Sequence, residues 1–131
     1  MRDHDAMIAL VESRARAPLA WGDQANDCVS FARAVVTALI GRDPLAGLGH
    51  HWTSQRGAQR VLRRLGGLEA AVDSVLPRIA PSMAKRGDVG LVTIGGIDSL
   101  VVVEGDTVVG PGDHGLVRLP RRVITAAWSV A

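Results

Sequence analysis

Cys28 is the only cysteine of the chain. It follows Asp27 directly and opens an apolar run, CVSFARAVVTALI. In the first turn of a helix a thiol meets unpaired backbone N–H groups and the positive end of the dipole, which favour a thiolate and hence a nucleophile. The same position lies on the apolar face of that helix, where an unpaired cysteine behaves as a small hydrophobe. Position alone leaves both readings standing. Asp27 opposes the thiolate unless its carboxylate is occupied in capping the helix.

Three other groups of residues could carry chemistry. GPGDHG (110–115) has the spacing of a dinucleotide-binding glycine motif, but that motif needs a following helix to hold the pyrophosphate. Here LVRLP follows, a strand ended by proline, so the segment reads as a turn. His50 and His51 are adjacent, point in different directions on a loop, and have no HExxH or other ligand cluster beside them; they read as loop polar residues. Arg56, Arg60, Arg63 and Arg64 could meet phosphate or an acidic surface, but they read first as a solvated helix face.

The elements that must position Cys28 follow from periodicity. Residues 4–16 predict a short amphipathic helix closed by Pro18. Cys28, Phe31, Ala32, Val35, Val36 and Leu39 recur on one face of a helix over 28–40, with Asn26 or Asp27 as N-cap and Gly41 and Pro44 as stop. Residues 54–65 and 68–76 predict two more helices. After Pro77 and Pro81 the pattern changes to short strands at 88–94, 99–105, 106–110, 115–119 and 123–130, separated by glycines. Helices first and strands second predict an α+β fold with an antiparallel sheet. Phe31, Val35 and Leu39 should pack on that sheet, with Val89, Leu91, Val101 and Val103 as candidate inward positions.

Composition limits the partners. With 131 residues, 47% of them apolar, the chain is expected to form one globular domain over 1–131. A net charge of +2 is too mild for a dedicated nucleic-acid binder, although the basic residues are 14 arginines beside a lone Lys85. One cysteine excludes an internal disulfide and a cysteine-based zinc cluster. The N-terminal stretch lacks the apolar core and cleavage site of a signal peptide, and no stretch approaches the ~20 apolar residues of a membrane helix. Synthesis in the cytosol, no membrane span and no cofactor or metal are the expectations.

The wider pattern is more specific. A Trp-Gly at 21–22, then Asp27-Cys28, then Phe31, and later Arg86-Gly87-Asp88-Val89 opening the first strand resemble the NlpC-type cell-wall cysteine peptidases of the papain-like fold. WGDQANDCVSFA, IGRDP, RRLGGLEAAV, AKRGDVGLV, GLVRLP and a terminal AAWSV, in that order from Trp21 to Val130, look like a branch of small phage and prophage proteins on that fold. The resemblance implies N-terminal helices packed on a C-terminal antiparallel sheet of about five strands, with Cys28 at a helix N-terminus.

It also implies a cysteine nucleophile, a histidine base at the start of the second strand and a third polar residue that orients the histidine. Cys28 matches the nucleophile. Ser99 stands where the base is expected, and the third position falls near Pro111. A serine hydroxyl is no base near neutral pH, and proline offers no side-chain polar group. His114, in a turn before the next strand, is the possible substitute base. Asp27 and Trp52 are the expected binding residues, Trp52 as anchor of the loop GRDPLAGLGHHW.

The resemblance therefore implies a degenerate peptidase-like component of a phage, prophage or phage-derived tail, with other tail or tail-tip proteins as partners. The alternative is an active cysteine peptidase or amidase cutting peptidoglycan, with His114 as base. Without a base at Ser99 the Cys28 thiol is expected to titrate near, or slightly below, the free value of ~8.5.

Overall fold

The computed structural model describes residues 2–20, 27–48, 52 and 54–130. Among the described residues four α-helices precede a six-stranded sheet: α1 (His4–Ser13), α2 (Cys28–Ile40), α3 (Gln55–Arg64), α4 (Leu68–Asp73), then β1 (Arg78–Ile79), β2 (Val89–Ile94), β3 (Ile97–Val103), β4 (Thr107–Gly112), β5 (Gly115–Pro120) and β6 (Ala126–Trp128). The strand order is β1-β6-β2-β3-β4-β5, and every pairing is antiparallel. The α+β expectation holds, with one strand more than the five read from sequence. That strand, β1, is two residues long and is held by pairing Arg78 with Trp128 and Ile79 with Ala127, which no local pattern announces.

Helix α2 is the central element. Its apolar face buries Val29, Phe31, Ala32, Val35, Val36 and Leu39, and it lies across β3 and β4. Gly41 ends it in the left-handed conformation (φ 76°), its N–H donating to the Thr37 carbonyl. Helix α1 stops at Ser13, three residues earlier than its pattern predicts. Met7 and Val11, one turn apart, are its buried positions.

The sheet has two buried faces. Val89, Leu91, Leu100, Val102 and Val109 join the helices in the main core. Val92, Val101, Val103 and Val108 form a smaller core on the other face with Ala84, Ile124 and Ala127. Val89 and Leu91 are thus inward as predicted, but Val101 and Val103 face away from the helices. The run LVVV is apolar at both parities, so alternation carried no information about which face meets the helices.

Asp88 pins the start of β2. It is 1% exposed; one carboxylate oxygen accepts from Val130 N–H at 3.0 Å and from the Arg2 guanidinium at 2.6 Å, and the other accepts from Lys85 N–H at 2.9 Å. Arg2 also donates to the carbonyls of Arg86 and Val130. Gly87 before it has φ 94°, and a Cβ there would lie 2.3 Å from the Leu39 side chain. The Arg-Gly-Asp stretch therefore joins both ends of the described chain to α2.

Candidate functional site

Asp27 caps α2 with a buried carboxylate. One oxygen accepts from Ser30 N–H at 2.8 Å; the other accepts from the Ser30 hydroxyl at 3.1 Å and from the Trp52 indole N–H at 3.0 Å. Asp27 is 0% and Trp52 5% exposed. These two expected binding residues hold each other inside the protein, so any influence on a ligand runs through the shape they give the loop and helix start.

Cys28 follows as the first residue of α2 and is half-buried. Its thiol pKa is pushed up to about 11, chiefly because burial penalises the anion. A backbone hydrogen bond from Leu100 lowers it, the neighbouring Asp27 charge raises it, and backbone hydrogen bonds from Val29 and Cys28 itself lower it. The expectation of a value near the free thiol is thus displaced upward. A helix terminus stabilises a thiolate by only about 0.3–1 kcal/mol, and desolvation exceeds that. At pH 7 a thiol of pKa about 11 is ionised in roughly one molecule in ten thousand.

The thiol borders a groove of about 510 Å³ whose walls include Cys28, Ser99, Leu100, Pro111 and Asp113. The groove opens where β3 and β4 part. These strands pair only at Val102↔Val109 and Val103↔Val108, whereas β4 and β5 pair through to Gly112↔Gly115. The next hydrogen-bonding pair in the β3–β4 register would set Leu100 opposite Pro111. Proline has no N–H to give, so the ladder ends there. The Leu100 amide, on the β4 side of its strand, is the group that bonds Cys28. A proline inside an apolar strand pattern was the sequence signal for this opening, and neither the Leu100 amide nor Gln55, which also lines the groove, was singled out from sequence.

The structure brings Cys28, Ser99 and Pro111 to one groove. Ser99 pairs with Val92 and shares its face of the sheet, opposite to that of Leu100. His114 is exposed in the tight turn between β4 and β5, and it is its neighbour Asp113 that lines the groove. Gly115 beside it has φ 126°, and a Cβ there would meet the Ala15 carbonyl at 2.5 Å, so the hairpin tip seats on the segment after α1. The segment 110–115 is indeed a hairpin turn followed by a strand. His50, His51 and the Trp-Gly at 21–22 lie outside the described residues. Among the described residues no three His, Cys, Asp or Glu side chains converge as metal ligands, and no helix is long and apolar enough to cross a membrane.

Comparison with known proteins agrees with the fold. The family profile "Domain of unknown function (DUF6950)" matches residues 1–130. Among solved structures, the protein is similar to the crystal structure of the NlpC/p60 domain of peptidoglycan hydrolase SagA. The TM-score is 0.62 at 20% identity, covering 97% of this chain and 98% of that one. At that identity the likeness is one of fold: an NlpC/p60-like, papain-like arrangement of helices on an antiparallel sheet. No curated protein matches the sequence.

Proposed function

We propose that this chain, which belongs to the DUF6950 family, is a single-domain, catalytically degenerate peptidase-like component of a phage, prophage or phage-derived tail, made in the cytoplasm and incorporated into the particle. In this reading the groove at Cys28 has passed from cutting a substrate to docking another tail or tail-tip protein. The observation that carries the loss of catalysis is the chemistry of the groove. Papain-like acyl transfer needs a thiolate to attack the amide carbonyl and an imidazole to take the thiol proton and return it to the leaving amine. Here the thiol is held protonated by a pKa of about 11. Ser99 and Pro111, the sequence positions to which the resemblance assigns the base and its orienting group, both line the groove, and Ser99 lies on the sheet face turned away from α2. The tail assignment rests on the resemblance of the sequence motifs.

A second reading, an active cysteine peptidase or amidase, is favoured by one feature: the thiol keeps backbone hydrogen bonds from Leu100 and Val29 that favour its anion. The solved neighbour is a domain of a peptidoglycan hydrolase, which makes peptidoglycan the substrate to try. Purified protein incubated with peptidoglycan at neutral pH is expected to release no soluble fragments. Release that disappears in Cys28→Ser would overturn degeneracy, and its loss in His114→Ala, or in replacements of His50 and His51, would identify the base.

A further inference from the structure

Helix α3 carries Arg56, Arg60, Arg63 and Arg64, all exposed, and no acidic residue. The spacing i, i+4, i+7, i+8 sets them on one stripe about 12 Å long. None of the four guanidinium groups has an ion pair or hydrogen bond among the described residues, although arginines elsewhere are paired: Arg33 with Asp43, Arg78 with Glu69 and Asp73, Arg118 with Glu104. Since the whole chain has a net charge of +2, the rest of it carries −2 once these four are set aside. The positive charge is therefore localised.

Part of the stripe works against its own helix. Arg63 and Arg64 sit in the last turn, where the dipole favours them, but Arg56 sits in the first turn, at its positive end, and Arg56–Arg60 and Arg60–Arg64 are like-charge pairs one turn apart. A solvated face alone needs no such repulsion; an anionic partner relieves it.

The stripe begins at the Cys28 groove. Gln55, the first residue of α3, lines that groove, and its chain neighbours Ser54 and Arg56 line, with Trp52, Arg60 and Arg64, a second hollow of about 390 Å³. Across the groove, Ile94, Ile97 and Val117 are large apolar side chains 54%, 48% and 45% exposed. A largely apolar trough, with Asp98 and Asp113 also on its walls, thus ends at the first residue of the helix that carries the guanidinium row.

We propose that groove and stripe form one docking surface for an extended segment of a partner polypeptide, apolar where it crosses the sheet and acidic where it meets α3. This rests on the docking role given above. Single-stranded nucleic acid fits less well, because base stacking needs exposed rings. Among the described residues Phe31 and Trp128 are 0% and Trp52 5% exposed.

The test is fluorescence anisotropy of the whole protein with a labelled peptide of four valines followed by four glutamates, and with a matching valine–lysine peptide and a single-stranded oligothymidine as controls. Binding of the glutamate peptide is expected, falling as salt is raised to about 0.3 M. Joint Arg60→Glu and Arg64→Glu should weaken it by about tenfold or more, and Arg60→Lys with Arg64→Lys should keep part of it. Arg56→Gln should weaken binding while raising Tm, an opposition that a purely structural arginine would not produce. No binding of the glutamate peptide, equal binding of the lysine peptide, indifference to the arginine changes, or tighter binding of the oligothymidine would each overturn the proposal. Absence of peptide binding together with absence of peptidoglycan cleavage would remove this inference alone, whereas cleavage would remove the docking role itself.

Discussion

The indole N–H of Trp52 donates to the buried Asp27 carboxylate across 3.0 Å, tying the loop before α3 to the cap of the helix that carries Cys28. The bond joins residues 25 apart in sequence, and both ends are withdrawn from solvent.

Trp52→Phe keeps most of the ring volume and removes only that donor. Hydrogen bonds to charged groups contribute about 1.5–3 kcal/mol, and a loss of that size is expected in urea unfolding. Trp52→Ala adds a cavity and should cost about 3–5 kcal/mol. Equal stability of Trp52→Phe and the parent would show that the bond holds nothing together.

Asp27→Asn should lower the Cys28 pKa, because the Asp27 charge is one of the two influences that raise it. The value should stay above that of a free thiol, since burial is the larger influence and remains. Iodoacetamide alkylation rates against pH read this directly. A pKa unmoved or raised by the substitution would contradict the electrostatic assignment.

The raised thiol also links stability to pH. The unfolded thiol ionises near its model-compound value of 9.0 and the folded one near about 11, so the contribution is complete below pH 9 and is lost as pH rises toward 11. The loss should be about 2–3 kcal/mol relative to Cys28→Ala, which lacks the group. Urea unfolding of the two proteins between pH 8 and pH 11 measures it. A stability difference that is flat over that range, or that grows in favour of the parent, would go against the thiol being desolvated.

Pro111→Val restores the missing amide opposite Leu100. The β3–β4 ladder should extend by one pair, protecting the residue 111 amide from hydrogen exchange and drawing the Leu100 N–H away from Cys28. Alkylation of the thiol should slow as its anion loses that donor. An unprotected amide at 111 would show that something other than the proline holds the strands apart.

How much of this was legible in the sequence varies with how local its cause is. The bounds of α2 match its periodic pattern because cap, apolar stripe and Gly41 lie within it. The two-residue β1 exists only through its partner β6, and a pair of residues has no period to read. In LVVV both parities are apolar because both faces of the sheet are covered, so Val101 and Val103 went to the second core unannounced. The grouping of Cys28, Ser99 and Pro111 in one groove is implied by the family resemblance and by no local pattern of the chain. The thiol's pKa is implied by neither, because desolvation depends on what packs around it from distant parts of the chain.

The proposed loss of catalysis requires that the Cys28 thiol, at the start of α2, is not ionised by an imidazole. The most direct measurement is the pH dependence of iodoacetamide alkylation of Cys28 in the whole folded protein, with unfolded protein as reference. Reactivity is expected to rise only toward pH 11, well above the unfolded thiol. A thiol that titrates below about pH 6, as one paired with an imidazole does, would contradict it.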